Sequence, residues 1–98
     1  MTIEKNLNGT ELTVAIIGRL NTITAPELEE TLTASFAGIE NLVLDLSALE
    51  YISSAGLRVL LQAQKVMNKQ GEMVVRNANE TVREIFDATG FVDILTIE

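Results

Sequence analysis

Residues 45–61 of the chain read DLSALEYISSAGLRVLL and predict the end of a strand, a turn and the start of a helix. The strand includes the apolar run at residues 42–44, which is unbroken enough to be covered on both faces. Ser53, Ser54 and Gly56 follow at the turn into the helix, where α/β proteins usually place functional groups. A hydroxyl there lies beside unpaired backbone N–H groups and the positive end of the helix dipole, which favours an anion.

Composition predicts one soluble globular domain. The chain has 98 residues, of which 47% are hydrophobic and 21% are charged, enough for a modest core. It has no apolar run of membrane-spanning length, and no signal region follows Met1, so we expect a cytoplasmic protein without membrane insertion. The formal net charge of −7 argues against nucleic acid or an anionic membrane surface as the main partner.

The residue types that catalysis most often needs are scarce. The absence of histidine removes the usual base of a Ser-His-Asp site, and the absence of cysteine removes thiolate metal ligands. The 14 acidic residues form no calcium-loop pattern, and no glycine-rich phosphate-binding loop is present. We therefore predict a protein that is not an enzyme and has no cofactor and no metal site. An esterase or nucleotide hydrolase using Ser54 is the alternative from another class, and it would need a base.

Two strands and a helix are predicted ahead of residue 45. The strands cover residues 3–7 and 12–17 and form a hairpin. Thr24 and Glu27 have the spacing of a capping box, and Gly38 favours the end of the helix. The apolar stripe of this helix has i, i+4, i+8 spacing and consists of Leu28, Leu32 and Phe36.

The second helix is predicted over residues 54–69. Its apolar face contains Leu57, Val59, Leu60, Leu61, Ala63, Val66 and Met67. A polar stripe runs out from Ser54 and is either a solvated face or a partner surface; it consists of Arg58, Gln62, Lys65 and Lys69.

Further elements complete the predicted fold. A strand over residues 72–75 is followed by a third helix with a capping signal at Asn77 and a stop at Gly90, and then by a last strand over residues 94–97. The predicted order is β-β-α-β-α-β-α-β. This is an α/β fold in one domain, with a mixed sheet, parallel βαβ crossovers and covering helices.

Three stretches of the chain resemble the STAS domain family, whose name joins sulphate transporters with bacterial anti-sigma factor antagonists. Residues 42–61 resemble the family signature, and GRLNTITA at residues 18–25 resembles the motif after the second strand. IFDATGF at residues 85–91 resembles the last helix and turn. The resemblance covers nearly the whole chain and implies a single STAS domain over residues 1–98, similar to the free-standing bacterial form.

The resemblance implies a partner switch rather than a reaction. Antagonists of this family bind an anti-sigma factor that is also a serine kinase, and binding releases a sigma factor. The kinase then phosphorylates a serine at the start of the second helix, the complex dissociates, and a PP2C-type phosphatase restores the serine. The family pattern Asp-Ser-Ser/Thr-Gly-Leu, aligned through Gly56-Leu57, puts the acceptor at Ser54.

This sequence departs from the family pattern at three positions. The family's aspartate is Ser53 here, its second hydroxyl residue is Ala55, and the acid that often follows Gly-x-Leu is Asn21. The presumed binding face therefore has two fewer negative charges, and Ser53 is a second candidate acceptor. The partner-binding residues implied by the resemblance are Asn21, Thr22, Ser53, Ser54, Ala55, Gly56, Arg58 and Gln62.

Other interpretations of the same residues stay open. The chain is alternatively a STAS subunit of another complex, such as a lipid-transport ATPase or a stress-signalling assembly, that binds constitutively without phosphorylation. Ser53 or Ser54 is alternatively only an N-cap, and Gly56 only eases close packing. Asp45 is predicted to bond to loop amides ahead of the serines.

Overall fold

The chain folds into one mixed sheet with three α-helices. A computed structural model describes residues 1–98. Along the chain the elements are β1 (Thr2–Asn8), β2 (Glu11–Leu20), α1 (Ala25–Ser35), β3 (Asn41–Asp45), β4 (Leu49–Ile52), α2 (Ser54–Asn68), β5 (Glu72–Arg76), α3 (Glu80–Thr89) and a 3₁₀ turn (Phe91–Asp93). β1 pairs antiparallel with β2, whereas β2 with β3 and β3 with β5 pair in parallel. The predicted α/β class, with its mixed sheet and parallel crossovers, is confirmed.

β4 is a strand that is not predicted from the sequence. β2 is long enough to pair twice: its first half pairs with β3, and residues 18–20 pair in parallel with β4. The register shifts between Gly18 and Arg19, as at a β-bulge. β4 has only four residues, two of them buried at its ends, and so it shows no period-2 alternation that would reveal a strand.

The predicted last strand over residues 94–97 is wrong. The N–H groups of Ile94 and Leu95 both donate to the carbonyl oxygen of Phe91, at 3.0 and 2.9 Å, which closes a turn. Only the final residues are then left to pair with β5, through a single parallel bridge between Val75 and Ile97. The element order therefore ends in α3 and a 3₁₀ turn instead of a strand.

Two predicted helix caps are also corrected. Thr24 precedes α1 but makes no capping hydrogen bond, because its hydroxyl is engaged by the preceding loop. The cap of α3 is Asn79, whose Oδ1 accepts from the N–H of Val82 at 2.8 Å. Asn77 instead takes a φ of +62° and donates to Asp45 Oδ1 at 3.2 Å.

The core lies on one face of the sheet. The buried strand residues on that face alternate along each strand; those of β2, β3 and β5 are Leu12, Val14, Ile16, Leu42, Leu44, Met73 and Val75. All three helices contribute buried side chains to this same cluster, including Leu28 of α1, Leu60 of α2 and Phe86 of α3. Val43 points to the other face, beside Thr13 and Val74, and is still only 5% exposed. β3 is thus buried on both faces, as predicted.

Candidate partner-binding site

The two serines at the start of α2 have different surroundings. Ser53 is the N-cap residue: its backbone is extended, and its Oγ accepts from the N–H of Gly56 at 3.4 Å. Ser54 is the first residue of the helix and is exposed. Its hydroxyl makes no hydrogen bond within the protein; the side-chain hydrogen bond at this helix start is made by Ser53. The Ser54 hydroxyl is therefore free for chemistry, whereas the Ser53 hydroxyl already serves the helix.

Gly56 lets α2 approach the sheet closely. A Cβ atom at this buried position would lie 2.7 Å from Cγ of Leu20 and 2.8 Å from Cγ1 of Ile52. These two residues end β2 and β4, so the first turn of α2 rests directly on both strand ends. The close-packing interpretation accounts for a glycine inside a helix, where it otherwise costs about 1 kcal/mol. Gly56 therefore has a packing role beneath the start of α2.

The loop between β2 and α1 is held by its own side chains. Oδ1 of Asn21 accepts from the N–H groups of Ile23 at 3.0 Å and Thr24 at 3.1 Å. Oγ1 of Thr24 accepts from the N–H of Asn21 at 2.9 Å and donates to the carbonyl of Arg19 at 2.9 Å. Because Asn21 and Thr24 bond to each other, the loop is a closed turn. The half-buried Asn21 side chain forms hydrogen bonds within this turn.

The structure brings this loop next to the start of α2. The N–H of Ser53 donates to the carbonyl of Leu20 at 2.9 Å, just before the loop begins. A groove between α1 and α2 extends from this point. Among its lining residues are four of the predicted partner-binding residues and two from α1 and its end: Thr22, Ala55, Arg58, Gln62, Glu29 and Phe36.

The predicted site residues thus fall into two groups. Five are exposed or half-exposed and form what we call the candidate surface, which consists of Thr22, Ser54, Ala55, Arg58 and Gln62. The other three, Asn21, Ser53 and Gly56, hold the backbone in place.

Three residues beside the candidate surface were not among the predicted site residues. Glu29 lies on the groove, and Phe36, predicted as core, is only half-buried there. Ile23 is 87% exposed in the loop. The sequence signal for Ile23 is an isoleucine among polar loop residues, out of phase with the apolar stripe of α1.

Arg58 is a cation without an intramolecular partner. The single ion pair of the protein joins Arg76 to Glu98 at 2.8 Å, and Arg19 lies over the ring of Tyr51 with its guanidinium carbon 5.0 Å from the centroid. Arg58 lies one helical turn after Ser54 on the same exposed side of α2. Its guanidinium is available to an anion at Ser54 or on another protein.

Asp45 organises the turn that leads toward the serines. Its Oδ1 accepts from the N–H of Ser47 at 3.0 Å and from Nδ2 of Asn77 at 3.2 Å. The bond from Ser47 is the main reason that the pKa of the Asp45 carboxyl lies below its ordinary value of 3.8, against the opposing effect of partial burial. The predicted structural role of Asp45 is confirmed.

We expect Asp45→Asn to lower the free energy of unfolding by about 1 kcal/mol at pH 7, because it removes a charged acceptor. A carboxyl with a lowered folded-state pKa stabilises the fold above its unfolded-state value, and this contribution is lost as the pH falls through the folded-state pKa. The difference between wild type and variant should therefore shrink below about pH 3.8. Urea denaturation at pH 7 and at low pH measures it, and a difference that grows on acidification would contradict the assignment.

Two further observations bear on the class of site. The acidic side chains form no group of three or more that could hold a metal ion. None of the helices combines the length and the apolar character needed to cross a membrane.

The fold and the serine-bearing helix start define the class of protein. The family model of the STAS domain matches residues 2–98, and the chain belongs to this family. BtrV of Bordetella bronchiseptica, provisionally named an anti-sigma factor antagonist, is 42% identical over 88% of this chain and 76% of its own length. The anti-sigma-B factor antagonist of Bacillus subtilis is 30% identical over 97% of this chain and 88% of its own length. The crystal structure of an anti-sigma factor antagonist from Mycobacterium paratuberculosis superposes with a TM-score of 0.89 at 27% identity, covering 98% of this chain and 83% of that one.

Proposed function

We propose that this chain is an anti-sigma factor antagonist, a binding protein that docks on an anti-sigma factor with serine-kinase activity and so frees a sigma factor. Membership of the STAS family and the names of its relatives support this class. The observation that carries the regulatory part is the exposed Ser54, at the start of α2, with a hydroxyl that the fold does not use. On this proposal the protein acts in the cytoplasm, contacts protein and not nucleic acid, and catalyses no reaction of its own.

The choice of Ser54 over Ser53 as phosphate acceptor follows from hydrogen bonding. Transfer to Ser53 would modify the oxygen that accepts from the N–H of Gly56 and caps α2. The Ser53 side chain is also only partly accessible, whereas Ser54 is exposed. A kinase therefore reaches Ser54 without disturbing the helix start. Because Ala55 has no hydroxyl, Ser54 is the one acceptor on the candidate surface at this turn.

A phosphate at Ser54 is compatible with the folded chain. It adds a charge of about −1.5 to −2 at a helix N-terminus, where the dipole and unpaired backbone N–H groups favour anions. Arg58, which has no internal ion pair, lies one turn away on the same side and would partly neutralise the phosphate.

The same charge is costly inside a protein–protein interface. Docking would strip water from the phosphate, and any facing carboxylate would add repulsion. Phosphorylation would therefore release the partner while leaving the fold unchanged, and a PP2C-type phosphatase would reset the surface. The loop at Thr22 and the groove side of α2, with Arg58 and Gln62, would form the rest of the docking face.

Phosphate mapping tests this proposal. The purified chain is incubated with ATP and the anti-sigma kinase candidate encoded in the same genome, and the modified residue is located by peptide mass spectrometry. Wild type and Ser53→Ala should acquire one phosphate on Ser54, and Ser54→Ala should acquire none. Ser53→Ala controls for loss of the cap, which costs about 1 kcal/mol of stability.

The opposite outcomes identify the alternative. Phosphate on Ser53 would move the switch to the capping residue. A complex that forms with every variant and carries no phosphate would favour a constitutive STAS subunit of another assembly.

A further inference from the structure

Ile23 is the most exposed large apolar side chain of the protein. It is 87% exposed, compared with 62% for Leu7, 45% for Ile94 and 41% for Val92. Full exposure of an isoleucine forgoes the stabilisation that burial of its side chain would give to the fold. An isolated exposed apolar residue is common on protein surfaces, so its meaning depends on how it is held and what surrounds it.

The loop presents Ile23 in a defined position. Its own N–H donates to Oδ1 of Asn21, and the N–H of the next residue, Thr24, donates to the same oxygen. The Thr24 hydroxyl is tied in turn to Asn21 and to the carbonyl of Arg19. Asn21 and Thr24 are thus fixed on either side of Ile23. Little backbone freedom is therefore lost when Ile23 binds a partner, and such preorganisation favours affinity.

The turn borders the candidate surface. Leu20, two residues before Thr22, is hydrogen-bonded to Ser53 and packs under Gly56. Thr22 lines the same groove as Ala55 and Arg58. Ile23 therefore projects at the rim of the surface that contains Ser54, on the side of α1.

The face of α2 beside this rim differs in charge from the protein as a whole. The net charge of the chain is −7, yet α2 contains no acidic residue. The exposed stripe that runs along α2 to its C-cap contains three of the seven basic residues, Arg58, Lys65 and Lys69, and none of them is ion-paired. A partner that docks here meets an apolar projection, the basic face of α2 and, across the groove, Glu29 of α1; acidic side chains would complement the α2 face at Arg58.

We propose that Ile23 is the apolar anchor of the interface with the anti-sigma factor, and that it enters an apolar pocket bordered by acidic residues that face Arg58. The inference rests on the proposed function and adds to it the chemistry of the partner. Ile23 supplies affinity that does not depend on salt, and Arg58 supplies attraction that salt screens. Phosphate at Ser54 would then act twice, by adding charge to the interface and by engaging Arg58.

The test measures binding of the same kinase candidate with ADP, at low and high salt, by titration calorimetry. Ile23→Ala should weaken binding about 10- to 50-fold at both salt concentrations, because the buried apolar surface is lost. Leu7→Ala is the matched control: Leu7 is also exposed and pairs with Leu12, about 26 Å from Leu20 along β2, and its loss should leave affinity unchanged. Arg58→Gln should weaken binding about 3- to 10-fold at low salt and less at high salt, whereas the equally charge-changing Arg83→Gln on α3 should not.

The outcomes separate this inference from the function on which it rests. If wild type does not bind the kinase, or Ser54→Asp binds like wild type, the proposed function fails. If Ser54→Asp abolishes binding but Ile23→Ala binds like wild type, only the anchor is wrong. Sedimentation velocity of the free protein gives a third result: a dimer that Ile23→Ala converts to monomer would assign the residue to a second copy of this chain and overturn the anchor.

Discussion

Ser54→Asp should weaken binding of the anti-sigma kinase by at least about 100-fold, because an uncompensated charge buried in an interface costs about 3–5 kcal/mol. Aspartate has less charge than phosphate, so the variant sets a lower limit for the modification. Ser54→Ala should bind like wild type, since the Ser54 hydroxyl makes no hydrogen bond within the protein that the substitution would remove. Calorimetry with ADP measures all three affinities.

Ser53→Asp is the matched control for charge at this helix start. Aspartate is a good N-cap, so the variant retains the bond to the N–H of Gly56 and introduces the same charge one residue earlier. The side chain at residue 53 is turned into the cap, and the family pattern has aspartate there, so we expect less than about a 5-fold loss of affinity. Equal losses from Ser53→Asp and Ser54→Asp would mean that general negative charge, rather than the Ser54 position, controls docking. Thermal unfolding of Ser54→Asp should match wild type within about 0.5 kcal/mol, which rules out misfolding as the cause.

Gly71→Ala should lower the free energy of unfolding by about 3 kcal/mol or more, since the overlap that it creates is with backbone and cannot be relieved by a rotamer change. A Cβ atom at Gly71 would overlap the carbonyl oxygen of Glu40 and would lie 2.6 Å from its carbonyl carbon. That carbonyl accepts from the N–H of Glu72 at 2.9 Å, and the N–H of Glu40 donates to the carbonyl of Thr10 at 2.9 Å. Moving the Glu40 peptide therefore disturbs the point where β3 begins between its two neighbours.

Gly9→Ala is the control for a glycine effect without a clash. Gly9 has a φ of +64° and open space around its Cα, so alanine there should cost only the left-handed backbone penalty of about 1–2 kcal/mol. Urea unfolding monitored by circular dichroism compares the two variants. If Gly71→Ala cost no more than Gly9→Ala, the contact between the end of α2 and the start of β3 would have to be looser than the structure shows.

The elements that can be predicted from the sequence are those whose signals lie within one segment. β3 covers residues 41–45, as predicted around its apolar run, and α2 begins at Ser54, as the serine pair and the apolar spacing indicate. Gly90, predicted to stop α3, caps it with a φ of +78°. The caps of α2 and α3 join residues at most a few positions apart, so neighbouring residue types are enough to specify them. The apolar run of β3 is likewise a local signal, although the strands that it pairs with are distant in the chain.

The elements that could not be predicted depend on partners distant in the chain. β4 is a strand because β2 extends past β3 and offers it free backbone groups across a bulge. Thr24 is the exception: it fails as a cap because its hydroxyl bonds to Asn21 and Arg19, which lie only three and five residues earlier. Asn77 gives way to Asn79 at the start of α3 because it bonds to Asp45, 32 residues earlier.

The candidate site divides in the same way. The helix start, its two serines and the stripe through Arg58 and Gln62 are local features, and residue spacing alone puts them on one turn or one side of α2. The Ser54 hydroxyl is left free because Ser53 is the residue that caps α2, and the backbone N–H of Ser53 is fixed by the distant carbonyl of Leu20. The meeting of α2 with the loop that presents Ile23 likewise rests on contacts between segments about 30 residues apart, because close packing and strand pairing depend on three-dimensional neighbours that no local pattern encodes.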